Sequence, residues 1–296
     1  MKILVTGSNG QLGYDVLKEL HRRKIPCRGI DREECDITNM PQVMHWVETY
    51  QPDAVIHCAA YTNVNRAETE QTLCMDINYR GSANIAAAAN KTGAKLIYIS
   101  TDYVFGASGE QPLGIYEAKN PLNTYGETKL SGENSTRILC PRSFIVRTSW
   151  VFGINGSNFV KTMLRLGREK EEISVVSDQI GSPTYTADLA PLLCDMAMTE
   201  RFGTYHATNE GYCSWYEFAR EIMRLGHLPA KIHPVATADY PSPAARPLNS
   251  RLSKESLDEA GFPRLPHWKD ALQLVSIRTG NCRRGRGSQR PFKRPS

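Results

Sequence analysis

Long apolar runs are missing from this 296-residue chain. Nothing in it approaches the ~18–20 consecutive apolar residues of a membrane-spanning helix, which excludes a transmembrane protein and a membrane partner. A secretory leader is missing too. The opening MKILVTGSNGQLG has one lysine, an apolar run that meets glycine at once, and no small-residue cleavage site. Export is therefore not expected, and the expected setting is cytoplasmic. The eight cysteines (Cys27, Cys35, Cys58, Cys74, Cys140, Cys194, Cys213 and Cys282) include no CxxC pair and no zinc-ligand spacing. They read as reduced thiols, several of them in the core, and no metal is expected. There is no internal repeat. Acidic residues are absent from 276–296, where seven Arg and Lys fall; the remainder carries 29 basic and 31 acidic residues, so the formal charge of +5 belongs to this tail. No aromatic ladder or helical period accompanies those charges. The tail reads as an unfolded or appended extension rather than a nucleic-acid arm, and nucleic acid is not an expected partner.

What is present is a chain able to build a sizeable core, with 41% hydrophobic and 23% charged residues. Short continuous apolar runs at 2–6, 27–30, 54–58, 95–100 and 143–147 alternate with helical patterns near 11–23, 40–50, 79–92 and 125–137. That alternation predicts an α/β fold with a Rossmann-type doubly wound parallel sheet over 1–150. Asn39 and Pro41 mark a helix start, and the alanines 86–89 let a helix approach the sheet closely. After Arg147 the alternation weakens. Helices are expected near 158–168, 186–199 and 214–225, the last capped by Ser214, and 233–249 reads as a long ordered loop. This predicts a smaller C-terminal α/β substrate lobe over 151–275, with a segment near 184–200 returning to the first domain and a cleft between the two.

Three stretches carry chemistry. Gly7-Ser8-Asn9-Gly10-Gln11-Leu12-Gly13 follows the first strand and opens a helix, as a turn that cradles a pyrophosphate must. Its GxxGxxG spacing differs from the commoner GxGxxG. Asp31 ends the second strand and suits a ribose hydroxyl, hence NAD; Arg32 beside it suits a 2′-phosphate, hence NADP, so the choice stays open. Asp36-Ile37 could flank the adenine. The small residues after the third strand, Ala59 and Ala60 before Tyr61, leave room for a cofactor or simply pack closely. Finally, Thr101 ends the fourth strand, and Tyr125 and Lys129 share one helix face four residues apart. An ammonium there lowers the phenol's pKa toward working pH, so the phenol can exchange a proton with a carbonyl or alcohol oxygen that Thr101 also binds.

In order along the chain, GSNGQLG (7–13), HCAAYTNVNRAE (57–68), STDYVFG (100–106), PLNTYGETKLSGE (121–133), RTSWVFG (147–153), DQIGSPTYTADLA (178–190) and ARPLNSRLS (245–253) make the chain resemble the extended short-chain dehydrogenases/reductases, and within them the dTDP-4-dehydrorhamnose reductases. The resemblance runs to about Leu274. It implies NADPH- or NADH-dependent reduction of a nucleotide-sugar ketone. Tyr125 would be the general acid, Lys129 its electrostatic partner and ribose anchor, and Thr101 the positioning hydroxyl. Gly7, Asn9, Gly10, Gln11, Leu12 and Gly13 would hold the pyrophosphate, with Ala59, Ala60, Tyr61 and Asn78 on the ribose side. Asp102, Tyr103 and Trp150 would border the sugar, and Arg246, Asn249 and Ser250 would receive the diphosphate. A homodimer is a candidate assembly. Two departures stand out: Asn63-Val64-Asn65-Arg66 replaces a segment that often holds an acid and a lysine, and Tyr14-Asp15 stands where the resemblance would put a magnesium-binding glutamate. Rival implications are an epimerase or 4,6-dehydratase, disfavoured by Tyr103 where a dehydratase places a second carboxylate, and a non-catalytic subunit like the β subunit of methionine adenosyltransferase.

Overall fold

The computed structural model describes residues 1–274; the basic stretch 276–296 and Cys282 lie outside them. The elements run β1 (Ile3–Thr6), α1 (Gln11–Arg22), β2 (Cys27–Ile30), α2 (Met40–Tyr50), β3 (Ala54–His57), α3 (Val64–Ala67), α4 (Gln71–Met75), α5 (Ser82–Thr92), β4 (Lys95–Thr101), α6 (Thr124–Leu139) and β5 (Ser143–Thr148). They continue with β6 (Val151–Phe152), α7 (Phe159–Glu169), β7 (Glu172–Val176), β8 (Ile180–Gly181), β9 (Thr184–Tyr185), α8 (Thr186–Ala197), β10 (Gly203–His206), β11 (Cys213–Ser214), α9 (Trp215–Gly226), β12 (Lys231–Val235), β13 (Asn249–Ser250) and α10 (Glu255–Glu259).

Six strands form one parallel sheet in the order β10-β5-β4-β3-β1-β2. Strand side chains alternate between faces, and both faces are apolar here. Ile3 and Val5 join Leu12, Val16 and Leu20 of α1 and Leu189 and Leu193 of α8, whereas Leu4 joins Val43 and Val47 of α2 and Ile85 and Ala89 of α5. The chain leaves β1 for β2 on one side and reaches β3 on the other. The carboxyl ends of β1 and β3 therefore flank a switch point, where α/β sheets bind ligands. Besides α8, strand β10 also returns to this large sheet from the second half of the chain. The smaller lobe has its own aromatic core, in which Phe218 meets Phe152, Phe159 and Trp268.

Local chemistry explains the element ends. Asn39 accepts from Gln42 N with Pro41 in the first turn of α2, Ser214 and Glu217 form a reciprocal cap on α9, and Asn123 accepts from Gly126 N at the start of α6. Two expectations need correction. The stretch 233–249 is not all loop, because β12 pairs in parallel with β7 and β13 with β8. Pro234 is tolerated since β12 has a single sheet neighbour and needs no second ladder of N–H donors. Second, the helix expected over 79–92 begins with a π-helical turn, Asp76–Gly81, before α5.

The main buried charge cluster ties three elements together. Arg147 on β5 and Glu133 on α6 are fully buried and paired through two bonds of 2.7 Å, and Ser100 on β4 donates to the same carboxylate at 2.6 Å. Removing one partner strands the other charge in the interior. Arg147→Met should lower the unfolding free energy by about 3–5 kcal/mol, read by denaturant titration.

Candidate active site

The glycine turn forms the floor of a cavity of about 610 Å³ at the switch point. Gly7 has φ +65°, and a Cβ on it would lie 2.6 Å from the Ala59 nitrogen, so the turn and the end of β3 meet backbone to backbone. No side chain caps α1, whose N-cap is Gly10, leaving first-turn N–H groups available to an anion. Asn9, Gly10, Asp31, Arg32, Asp36, Ile37, Ala59, Ala60 and Tyr61 all line this cavity. A dinucleotide's adenosine and pyrophosphate fit its shape, its size and its N–H donors.

Several expected residues serve it indirectly. The Asp31 carboxylate accepts from the backbone N–H groups of Asn9 and Arg32, at 2.8 and 2.7 Å, and so braces the turn. Asp36 accepts from Thr38. Asn78 is buried and grips the backbone of Tyr61 through both ends of its amide. Leu12 belongs to the core, so its backbone alone remains for a ligand, whereas Gln11 accepts from Asn158 through its amide oxygen and keeps its amide NH2.

A second cavity, of about 570 Å³, opens between the lobes. Its wall holds Arg246, Trp215, Phe159, Gln179 and Tyr240. Arg246 donates to Asn65 at 2.8 Å, to the Ala244 carbonyl and to Ser242. These acceptors are neutral and Arg246 forms no ion pair among the described residues, so its charge is open to an anion.

The candidate reactive groups stand at the end of β4 and the start of α6. Thr101 ends β4, and its hydroxyl donates to Asp102 at 2.9 Å. Tyr125 lies in the first turn of α6, hydrogen-bonded to Thr101, with the Tyr103 ring edge-on at 5.7 Å. Lys129, one turn on, is 2% exposed, donates to the Ile99 carbonyl at 2.7 Å and stands 4.2 Å over the Tyr98 ring. Burial pulls its pKa down to about 7, partly opposed by Glu133. Burial pushes the Tyr125 phenol up, partly opposed by the adjoining Thr101 hydroxyl. The expected lowering of Tyr125 is thus reversed, because desolvation is the largest effect on the phenol. Burial also raises Asp102 to about 6, against hydrogen bonds from Ser250 and Thr101. The group is a proton donor beside a hydroxyl that can hold an oxygen.

Residues 1–279 match the family model described as the RmlD substrate binding domain. The chain belongs to that family. It is 42% identical to the spore coat polysaccharide biosynthesis protein SpsK of Bacillus subtilis (strain 168) over 282 residues, covering 95% of this chain and 99% of that protein. It is 38% identical to the dTDP-4-dehydrorhamnose reductase of Escherichia coli (strain K12), covering 93% of this chain and 97% of that one. The crystal structure of dTDP-4-dehydrorhamnose reductase from Bacillus anthracis str. Ames in complex with NADP superposes with a TM-score of 0.91 at 44% identity, covering 94% of this chain and 99% of that chain.

Within this family fold, not every expected substrate residue reaches the second cavity. Arg246 does. Asn249 instead donates to the Gln111 carbonyl and accepts from Arg251, bracing a loop. Trp150 takes φ +48° and stacks on Trp215 at 3.8 Å, so it supports the cavity wall from behind. Other contributors went unassigned by motif reasoning. Asn65 holds Arg246. Asn155 and Asn158 reach from the α7 entrance to the carbonyl groups of Asn9 and Gly10 and to Gln11. Glu133, four residues after Lys129, had a legible signal in its spacing. Among the described residues no group of three or more His, Cys, Asp or Glu could hold a metal ion, and no helix is long and apolar enough to cross a membrane.

The buried amine gives a signed test. Between pH 7 and the amine's ordinary value of 10.5, the unfolded chain holds one more proton than the folded chain. This group's contribution to stability therefore rises with pH across that window and is least favourable below it. Lys129→Met removes the penalty, so its melting temperature relative to wild type should be higher at pH 6 than at pH 9, measured by calorimetry of the ligand-free protein.

Proposed function

We propose that the protein reduces the C4 ketone of dTDP-4-dehydro-L-rhamnose to dTDP-L-rhamnose with NADPH or NADH, a step of nucleotide-sugar and polysaccharide biosynthesis. The observation that carries this reading is the Thr101, Tyr125 and Lys129 group at the end of β4 and the start of α6: Asn78 links Thr128 of that helix to Tyr61 of the dinucleotide-shaped cavity, and Tyr103, edge-on to Tyr125, contacts Arg246 of the second cavity. The family relationship supports the same reading.

A bound nicotinamide cofactor supplies the hydride. Gly7, Gly10 and the first-turn N–H groups of α1 would hold its pyrophosphate, Ala59, Ala60 and Tyr61 its ribose side, and Lys129 the ribose nearest the reaction. Arg246 would take the substrate's diphosphate, leaving the sugar toward Tyr103 and Tyr125. The Thr101 hydroxyl, which donates to Asp102 in the ligand-free protein, would turn its single hydrogen to the ketone oxygen and orient it. Tyr125 gives that oxygen its proton as negative charge develops there. The phenol's raised pKa keeps it protonated at neutral pH, which is the form a reduction consumes. Lys129, poised near neutrality, then favours the phenolate left behind.

Tyr103 argues against the dehydratase alternative. Its ring packs edge-on against Tyr125, in the place where that chemistry would require a carboxylate. Other 4-keto sugar nucleotides are the nearer rivals as substrates. The reading also puts the chain in the cytoplasm and expects a homodimer.

Purified protein should oxidise NADPH when given dTDP-4-dehydrorhamnose, with dTDP-rhamnose as product. Tyr125→Phe should lower turnover ~10²–10⁴-fold while NADP⁺ affinity stays within a few-fold, since the lost group donates only to the reacting oxygen. Undiminished turnover in that variant would sink the reading.

A further inference from the structure

Glu133 is unused by the chemistry above, yet it is one of the most thoroughly satisfied side chains in the protein. It lies on α6 one turn beyond Lys129, with its side chain fully buried. Its Oε1 accepts from Ser100 at 2.6 Å and from Arg147 Nε at 2.7 Å; its Oε2 accepts from Arg147 at 2.7 Å and from Arg137 at 2.9 Å. These partners sit on three different elements. Ser100 immediately precedes Thr101 on β4, Arg147 is the register partner of Ser100 on β5, and Arg137 is one turn further along α6. Arg147 is itself anchored on the Ile115 carbonyl.

One carboxylate, alongside the Lys129–Ile99 and Tyr98–Lys129 bonds, thus joins the strand that ends in Thr101 to the helix that carries Tyr125 in its first turn. We propose that Glu133 is a positioning residue for the reduction: by holding Ser100 and Arg147 together, it sets the distance between the Thr101 hydroxyl and the Tyr125–Lys129 face of α6. This rests on the reading of Thr101, Tyr125 and Lys129 as the reacting group.

Two features make the clamp more than a fold staple. It acts within one residue of Thr101, where a shift of a fraction of an ångström changes the alignment of two donors on one oxygen. It also faces Lys129 with a carboxylate, whereas the amine's other titratable neighbours, the thiols Cys58 and Cys74 and the ring of His57, are held neutral by burial. The negative charge opposes the effect of burial on the amine.

The test separates placement from stability. Ser100→Ala leaves the Glu133–Arg147 pair intact and removes only the bond to β4. Its kcat should fall at least about tenfold, with KM for the keto sugar and Kd for NADP⁺ within about twofold and the melting temperature nearly unchanged. Glu133→Gln keeps the shape and removes the charge. The pH profile of NADPH binding, read by cofactor fluorescence, should then shift to lower pH by about half a unit or more, because the amine loses its counter-charge. Wild-type kcat in Ser100→Ala would overturn the proposal, as would superimposable binding profiles for Glu133→Gln and wild type. If Glu133→Gln does not fold, Ser100→Ala alone decides. Tyr125→Phe and Lys129→Met serve as controls. Their retaining full turnover would refute the underlying reading, whereas their loss alongside an unimpaired Ser100→Ala would refute only the positioning role.

Discussion

Helix α6 has to seat charged side chains against the end of a buried strand, and the rest of the site depends on how it does so. Taking an isolated carboxylate or guanidinium out of water costs several kcal/mol even after relaxation. Here Glu133 and Arg147 meet in a two-bond fork, and Ser100 and Arg137 fill the remaining acceptor positions. Close approach of helix and strand requires a second concession. Gly132, beside Glu133, has the Tyr98 hydroxyl and the Asn78 carbonyl where a Cβ would sit, at 2.3 and 2.4 Å. Any side chain there would lift α6 off β4 and carry Tyr125 away from Thr101. An apolar pair could fill the same volume as the ion pair with comparable stability, but it would not specify this register as sharply.

That seating explains why the two reactive side chains have pKa values displaced in opposite directions. Both are desolvated, and desolvation opposes whichever form is charged. For the phenol the charged form is the deprotonated one, so Tyr125 moves up; for the amine it is the protonated one, so Lys129 falls to about 7. A phenol that resists ionisation suits a step that consumes a proton. A site built for the reverse oxidation at neutral pH would gain from a phenol already partly ionised. The direction of both shifts follows from how deeply α6 is buried.

How much of this was legible in the amino acids follows from what leaves a local mark. The large sheet was readable because strands buried on both faces are apolar throughout, as in Ala54–His57 and Lys95–Thr101. Caps such as Asn39 and Ser214 were readable because their bonds span three residues. Strand β12 was not, since it pairs over a separation of nearly sixty residues and carries a proline that ordinarily signals loop. The site divides in the same way. Tyr125 and Lys129 share a helix face at fixed spacing, so the sequence reveals the pair. The fate of Asn249, turned toward Gln111, depends on a contact 138 residues away that no motif encodes. The sign of the Tyr125 shift was misjudged for a related reason: spacing reveals a neighbouring amine, but burial is a property of the whole fold.

At the rims of the two cavities the lobes meet through short polar side chains. Asn155 and Asn158, at the entrance to α7, donate to the glycine turn and to Gln11, while Phe159, the next residue, walls the second cavity and packs against Trp215. On the opposite rim, α3 offers Asn63 and Arg66 to the first cavity and Asn65 to Arg246 in the second. Each cavity is therefore walled in part by residues adjacent in sequence to the walls of the other. Amides suit this seam. They give directional bonds that register the lobes without placing a negative charge beside Arg246, and such bonds exchange with water at little net cost. A seam of that kind joins the rims of the two cavities while leaving Arg246 its positive charge.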